Sequence, residues 1–114
     1  MLITVVELPE YIKRSERLLD EKERNRLIDY LAAHPDSGKI MQGTGGIRKI
    51  RWARKGKGKS GGVRIIYYFH NETMPLFLLT MFGKKEKDNL KKSERNELSV
   101  LTKRIVELYK KGVK

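Results

Sequence analysis

The sequence predicts an α+β fold: a small, mostly antiparallel sheet packed against helices, in the order β-α-α-β-β-β-α. Three observations carry this. Apolar residues recur at helical spacing up to Ala32 and again after Ser93, whereas from Ile47 the period changes to two. Three β-prone runs then follow one another through short glycine-rich or polar connections, the pattern of an antiparallel meander. The last of these runs, Leu76–Phe82, is apolar at nearly every position, as a strand buried on both faces is.

Each element has a local reason. Leu2–Val6 is apolar and β-branched, a first strand. Pro9 suits the first turn of a helix in which Tyr11, Ile12, Ser15, Leu18 and Leu19 share a face. Asp20 can cap a second helix, with Glu21 and Glu23 near the positive end of its dipole and a stripe of Leu27, Ile28, Leu31 and Ala32. That helix stops before Pro35, and His34–Gly38 reads as a loop. In the run Ile47–Arg54, Ile50 and Trp52 take one face of a strand while Lys49 and Arg51 take the other. Lys55–Gly62 is a turn or flexible hairpin loop, Val63–His70 the returning strand, and His70–Thr73 a turn. A short helical turn is expected at Glu86–Leu90. Ser93 would then cap a last helix with the stripe Leu98, Leu101, Ile105, Leu108 and Tyr109. The whole, residues 1–114, reads as a single domain without repeats.

Charge is distributed unevenly along this chain. The net of +12 comprises −2 over the first 36 residues, +9 over Ser37–Asn71 and +5 over the rest. The middle run holds nine Lys or Arg residues and no acid. A field of that size attracts polyphosphate through counterion release, so the expected partner is nucleic acid. The absence of Cys removes disulfides, thiolate nucleophiles and Cys-based zinc sites. His34 and His70, the only histidines, sit by turns with no cluster of acids near them, so no metal or other cofactor is expected. The N-terminus lacks a signal-peptide pattern, and the apolar stretches fall short of the roughly 18–20 residues that span a bilayer, so a cytoplasmic protein without membrane contact is expected. Nucleophile-elbow, zincin and Walker motifs are missing.

Lys49, Arg51 and Arg64 fall on one side of neighbouring strands, where they can converge on a phosphate-sized spot. Their mutual repulsion is more easily explained by a polyanionic ligand than by tolerance at the surface. Lys84, Lys85 and Lys87 follow the last strand; with Glu86 and Asp88 among them they also suit a solvated helix start.

The string GTGGIRKIRWARKGKGKSGGVRIIYYF, followed by LLTMFGKKEKDNL, closely resembles toxins of the RelE/ParE superfamily, in particular the HigB-like branch of type II toxin–antitoxin systems. The resemblance runs at motif level from about Gln42 to Leu90, and the flanking helices agree in placement. It implies a small microbial-RNase-like (RelE-like) fold and metal-independent, ribosome-dependent endoribonuclease activity: an mRNA interferase that cleaves mRNA in the ribosomal A site and inhibits translation. The ribose 2′-OH would attack the adjacent phosphate and expel the 5′ oxygen. The implied partners are a helix-turn-helix antitoxin (HigA-like), the 70S ribosome with its 16S rRNA, and mRNA. Carried over residue by residue, the resemblance places Lys49, Arg51, Arg64 and Lys85, or Lys84 if the register slips, at the reacting phosphate. Arg48, Arg54, Lys55, Lys57, Lys59, Lys87 and Tyr68 would contact RNA. Two departures leave the general base open among Lys49, Lys84, Lys85 and Tyr68. RelE has a lysine where Arg51 stands, and a tyrosine after the last strand where this chain offers Leu90 or Lys91. ParE-like poisoning of DNA gyrase and non-catalytic RNA or ribosome binding are the alternative functions.

Overall fold

In the computed structural model, which describes residues 2–53, 62–84, 86 and 89–112, the elements run β1 (Val5–Glu7), α1 (Pro9–Leu18), α2 (Glu21–Ala33), β2 (Lys39–Ile40), β3 (Ile47–Trp52), β4 (Val63–Tyr68), β5 (Leu76–Gly83) and α3 (Lys92–Gly112). The strands form one sheet in the order β1-β5-β4-β3-β2. β3, β4 and β5 make the expected antiparallel meander, while β1 lies parallel to β5 at one edge. The chain is thus α+β with a mostly antiparallel sheet. One element was not anticipated: β2, two residues long, pairs antiparallel with β3 at the other edge, just beyond the stretch read as loop.

The sheet divides two cores. On one face α1 and α2 bury Tyr11, Leu19, Leu27 and Leu31 against Ile65, Tyr67, Leu78 and Met81. On the other, α3 packs over Ile47, Ile66, Tyr68, Phe77 and Leu79. A bulge in β5 lets it serve both. Ile66 pairs with Thr80 but Tyr67 with Leu78, so Leu79 is an extra residue and joins Phe77 and Phe82 on the α3 face.

Capping follows the physics of helix ends, with one correction. The Asp20 carboxylate accepts the Glu23 N–H at 2.8 Å, as expected for α2. For α3 the helix begins before Ser93, and it is Glu94 that reaches back to accept the Lys91 N–H at 2.8 Å. The backbone cap is therefore made by the Glu94 carboxylate in the first turn, while Ser93, expected as the cap, lies inside the helix. The α3 stripe shifts as well. Leu98, Ile105, Val106 and Tyr109 pack on the core, while Leu101 and Leu108 are exposed. Thr102 occupies the buried row between them, its hydroxyl satisfied by donating to the Ser99 carbonyl at 2.9 Å. Of the helical turn expected at Glu86–Leu90, the described residues are not helix: Glu86 is in a turn, Asn89 in a bend and Leu90 in irregular chain.

Candidate nucleic-acid interface

The turn that launches β3 explains the glycines before it. Gly43, Gly45 and Gly46 have φ of 74°, 75° and 111°, which side-chain-bearing residues rarely adopt. Between them the buried Thr44 hydroxyl donates to the Met41 carbonyl at 2.6 Å and accepts the Ile47 N–H at 3.1 Å. This compact turn sets the register of β3 against its neighbours. Lys49 then stands opposite Lys39 of β2, and Arg51 opposite Arg64 of β4. Directly paired residues in an antiparallel ladder project to the same face with Cβ atoms roughly 4.5–5.5 Å apart. Two like-charged cross-strand pairs thus share one face of the sheet, the face that also receives α3.

α3 covers the Tyr68–Phe77 end of this face and leaves the Arg51–Arg64 end open. There a depression of about 240 Å³ is lined by Arg51, Trp52, Ala53, Gly62, Arg64 and Lys84. Arg64 is 5% exposed, the only buried Lys or Arg among the described residues, whereas Arg51 and Lys84 are exposed. A guanidinium held in the wall of the sheet between the ladders of β3 and β5 is preoriented, and its fork geometry suits two phosphate oxygens at once. Lys84 reaches the depression because its backbone N–H donates to the Gly62 carbonyl at 3.2 Å, closing the end of β5 onto the start of β4. Lys49 lies two residues along β3, half-buried on the same face, about 7 Å from Arg51 along the strand.

The remaining expected site residues are placed differently. Tyr68 shares the Arg64 face but stands four residues away, about 13 Å along β4. It is buried beneath α3, its phenol 3.1 Å from His70 Nδ1 and pushed above the ordinary tyrosine pKa by that burial. Arg48 projects to the opposite face, where its guanidinium donates to the carbonyls of Asp36 and Gly38 at 3.0 and 2.7 Å. It ties the α2–β2 loop to β3 and does not join the basic depression. Arg54, Lys55, Lys57, Lys59, Lys85 and Lys87 lie outside the described residues. Lys39 was missed as a site residue, because a two-residue strand offers no periodicity to read.

A larger cleft of about 510 Å³ lies between α3, β5 and the start of α1, floored by Leu79, Phe82 and Leu98 and rimmed by Glu10, Glu94 and Glu97. Its apolar floor and carboxylates oppose a polyanion, so charge selects the smaller basic depression in spite of its size. Among the described residues no three His, Cys, Asp or Glu side chains are grouped to hold a metal ion, and no helix is long and apolar enough to cross a membrane.

Comparison with known proteins bears on the family and the fold. A family model described as the RelE toxin of the RelE/RelB toxin–antitoxin system matches residues 12–114. Among solved structures, an arginine-to-alanine double mutant of the E. coli toxin RelE in the free state superposes with a TM-score of 0.58 at 17% identity, covering 90% of this chain and 98% of that one. At that identity the likeness concerns the fold.

Proposed function

Because the chain belongs to the RelE family of toxin–antitoxin toxins, we propose that it is an mRNA interferase of the HigB-like branch, cutting messages in the ribosomal A site. The observation that carries this reading is the Arg51–Arg64 pair, two cations set directly opposite each other at an open depression that also holds Lys84. Like charges in that position cost stability, and a bound phosphate removes the cost.

In the proposed reaction the ribose 2′ oxygen loses its proton and bonds to the adjacent phosphorus. The bond from phosphorus to the 5′ oxygen breaks, and that oxygen takes up a proton. The products are a 2′,3′-cyclic phosphate and a 5′-OH end. The pentacoordinate intermediate gains negative charge on its equatorial oxygens, where Arg64 and Arg51 stabilise it more than they stabilise the ground state. Arg64 holds the phosphate from within the sheet, Arg51 closes over it from solvent, and Lys84, with Lys85 beyond it in sequence, supplies the cation nearest the leaving oxygen. Lys39 and Lys49 receive the neighbouring phosphate along the strand. In this reading Tyr68 packs beneath α3 with its hydroxyl engaging His70 and is not assigned as the base.

Primer extension on a defined message, translated with purified ribosomes and incubated with the protein, tests this function. Cuts confined to the codon in the A site, absent from the same message without ribosomes, are expected. Cutting of naked RNA at the same positions and rate would instead make the protein a general ribonuclease, and no cutting in either arm would leave it a binding toxin.

A further inference from the structure

α2 presents Lys22, Arg26 and Tyr30 at successive four-residue steps, and His34, its C-cap, continues the row one step further. All four are exposed, Tyr30 at 40%. Trp52 of β3 packs into this row. The Arg26 guanidinium carbon lies 5.9 Å from the centre of the Trp52 ring, and the Tyr30 ring lies 5.7 Å from it at 57°. Tyr30 in turn contacts the His34 ring at 4.8 Å and 43°. The His34 backbone N–H donates to the Tyr30 carbonyl at 2.8 Å, which fixes the pair at the end of the helix. Trp52 lies on the α2 face of β3, opposite Arg51, and also lines the basic depression, so the row adjoins the phosphate site across the thickness of β3.

We propose that this row is a base-stacking track for the single-stranded RNA whose phosphate occupies the Arg51–Arg64 depression, a proposal that rests on the RNA-binding reading of that site. A nucleotide flanking the bound phosphate lays its base on the open face of Tyr30 or His34, and Arg26 and Lys22 accompany its backbone. Trp52 is the support that holds the Tyr30 ring upright. One feature favours RNA over an acidic protein segment. The row pairs cations with rings at spacings a nucleotide strand can follow, and aromatic faces take any base without reading its sequence. The row itself contains no carboxylate, as binding of any polyanion requires. Tyr30 packs against Trp52 and His34 yet stays 40% exposed.

Trp52 is the sole tryptophan of the chain and touches both the row and the depression, so the quench that intact RNA gives beyond an abasic strand reports on the row. The test titrates the full-length protein with a short single-stranded RNA, 2′-O-methylated to prevent cleavage, and with an abasic oligonucleotide of equal charge. Affinity is followed in parallel by anisotropy of an end label. Intact RNA should quench Trp52 beyond the level that the bound abasic strand gives. Tyr30→Ala should weaken binding of intact RNA about tenfold and leave abasic binding unchanged, while Tyr30→Phe should behave as wild type. Equal quenching by both strands, or wild-type affinity in folded Tyr30→Ala, would overturn the track. Ribosome-dependent cleavage is scored separately: a protein that cleaves but shows no base-dependent quench loses only the track, and one that quenches without cleaving loses only the proposed activity.

Discussion

At the scale of single residues, burial separates groups that do chemistry from groups that hold the fold. Arg64 and Tyr11 are both buried, but Arg64 opens onto a depression whereas the Tyr11 hydroxyl, fully buried between α1 and the sheet, has no hydrogen-bond partner among the described residues. An unsatisfied buried hydroxyl costs stability. Tyr11→Phe should therefore be neutral or stabilise the protein by up to about 1 kcal/mol, measured by urea unfolding at neutral pH. Burial, and then the Glu7 charge, raise the Tyr11 pKa. The native state thus keeps a proton that the unfolded state releases first. This part of the stability is whole below about pH 10 and is lost as pH climbs from there toward the raised native value. The Phe variant should lose stability less steeply over that alkaline range; an identical slope would mean that Tyr11 does not titrate in the unfolding reaction. Tyr68→Phe makes a complementary prediction about function. If Tyr68 only packs and engages His70, the pH profile of cleavage below about pH 10 should be that of wild type, whereas loss of an ionisation from the profile would return Tyr68 to the list of bases.

Among the elements, those with a clear period were legible in the sequence and those without were not. The alternation over Ile47–Arg54 identified β3, which the structure describes over Ile47–Trp52, and placed Lys49 and Arg51 on the face opposite Ile50 and Trp52, as found. β2 was invisible because two residues have no period, and with it went the pairing of Lys39 against Lys49. The α3 stripe was misread by its polar member: Thr102 looks like a surface residue until its hydroxyl is seen to bond within the helix. Of the candidate site, the cluster of cations could be read from the sequence, whereas the burial of Arg64 and the outward-facing Tyr30–Trp52 contact could not. Both arise from how separate elements pack. Two substitutions test the elements that support the site. Asp20→Ala removes the α2 cap and should cost about 1 kcal/mol in thermal or urea unfolding. Gly38→Ala should cost more, because a Cβ there would stand 2.8 Å from the Tyr67 ring and hydroxyl, the same hydroxyl that accepts the Gly38 N–H at 2.7 Å. Equal stability of Gly38→Ala and wild type would show that the Tyr67–Gly38 latch does not set the position of β2.

For the molecule as a whole, a segment carrying +9 in a chain of net +12 would engage any RNA in its reach, so control calls for a tight competitor. The expected antitoxin presents acid to the basic face or, docked elsewhere, blocks entry to the A site by its bulk. If charge steers the pairing, association should be fast and should slow as the Debye length contracts from about 10 Å at 0.1 M salt to about 3 Å at 1 M. Stopped-flow association rates across that range provide the check, and a rate that ignores salt would reject steering while leaving the pairing itself intact.

In the proposed reaction the phosphate being cleaved sits on the Arg51–Arg64 pair. Single-turnover cleavage of a message in a preformed ribosomal complex, with wild-type protein and with folded Arg64→Ala, tests it most directly. Removing one preoriented donor from the transition state should slow the reaction by about 10²–10³, with the cut, where still visible, at the same codon. A folded Arg64→Ala protein that cleaves at the wild-type rate would contradict the account and move the site elsewhere.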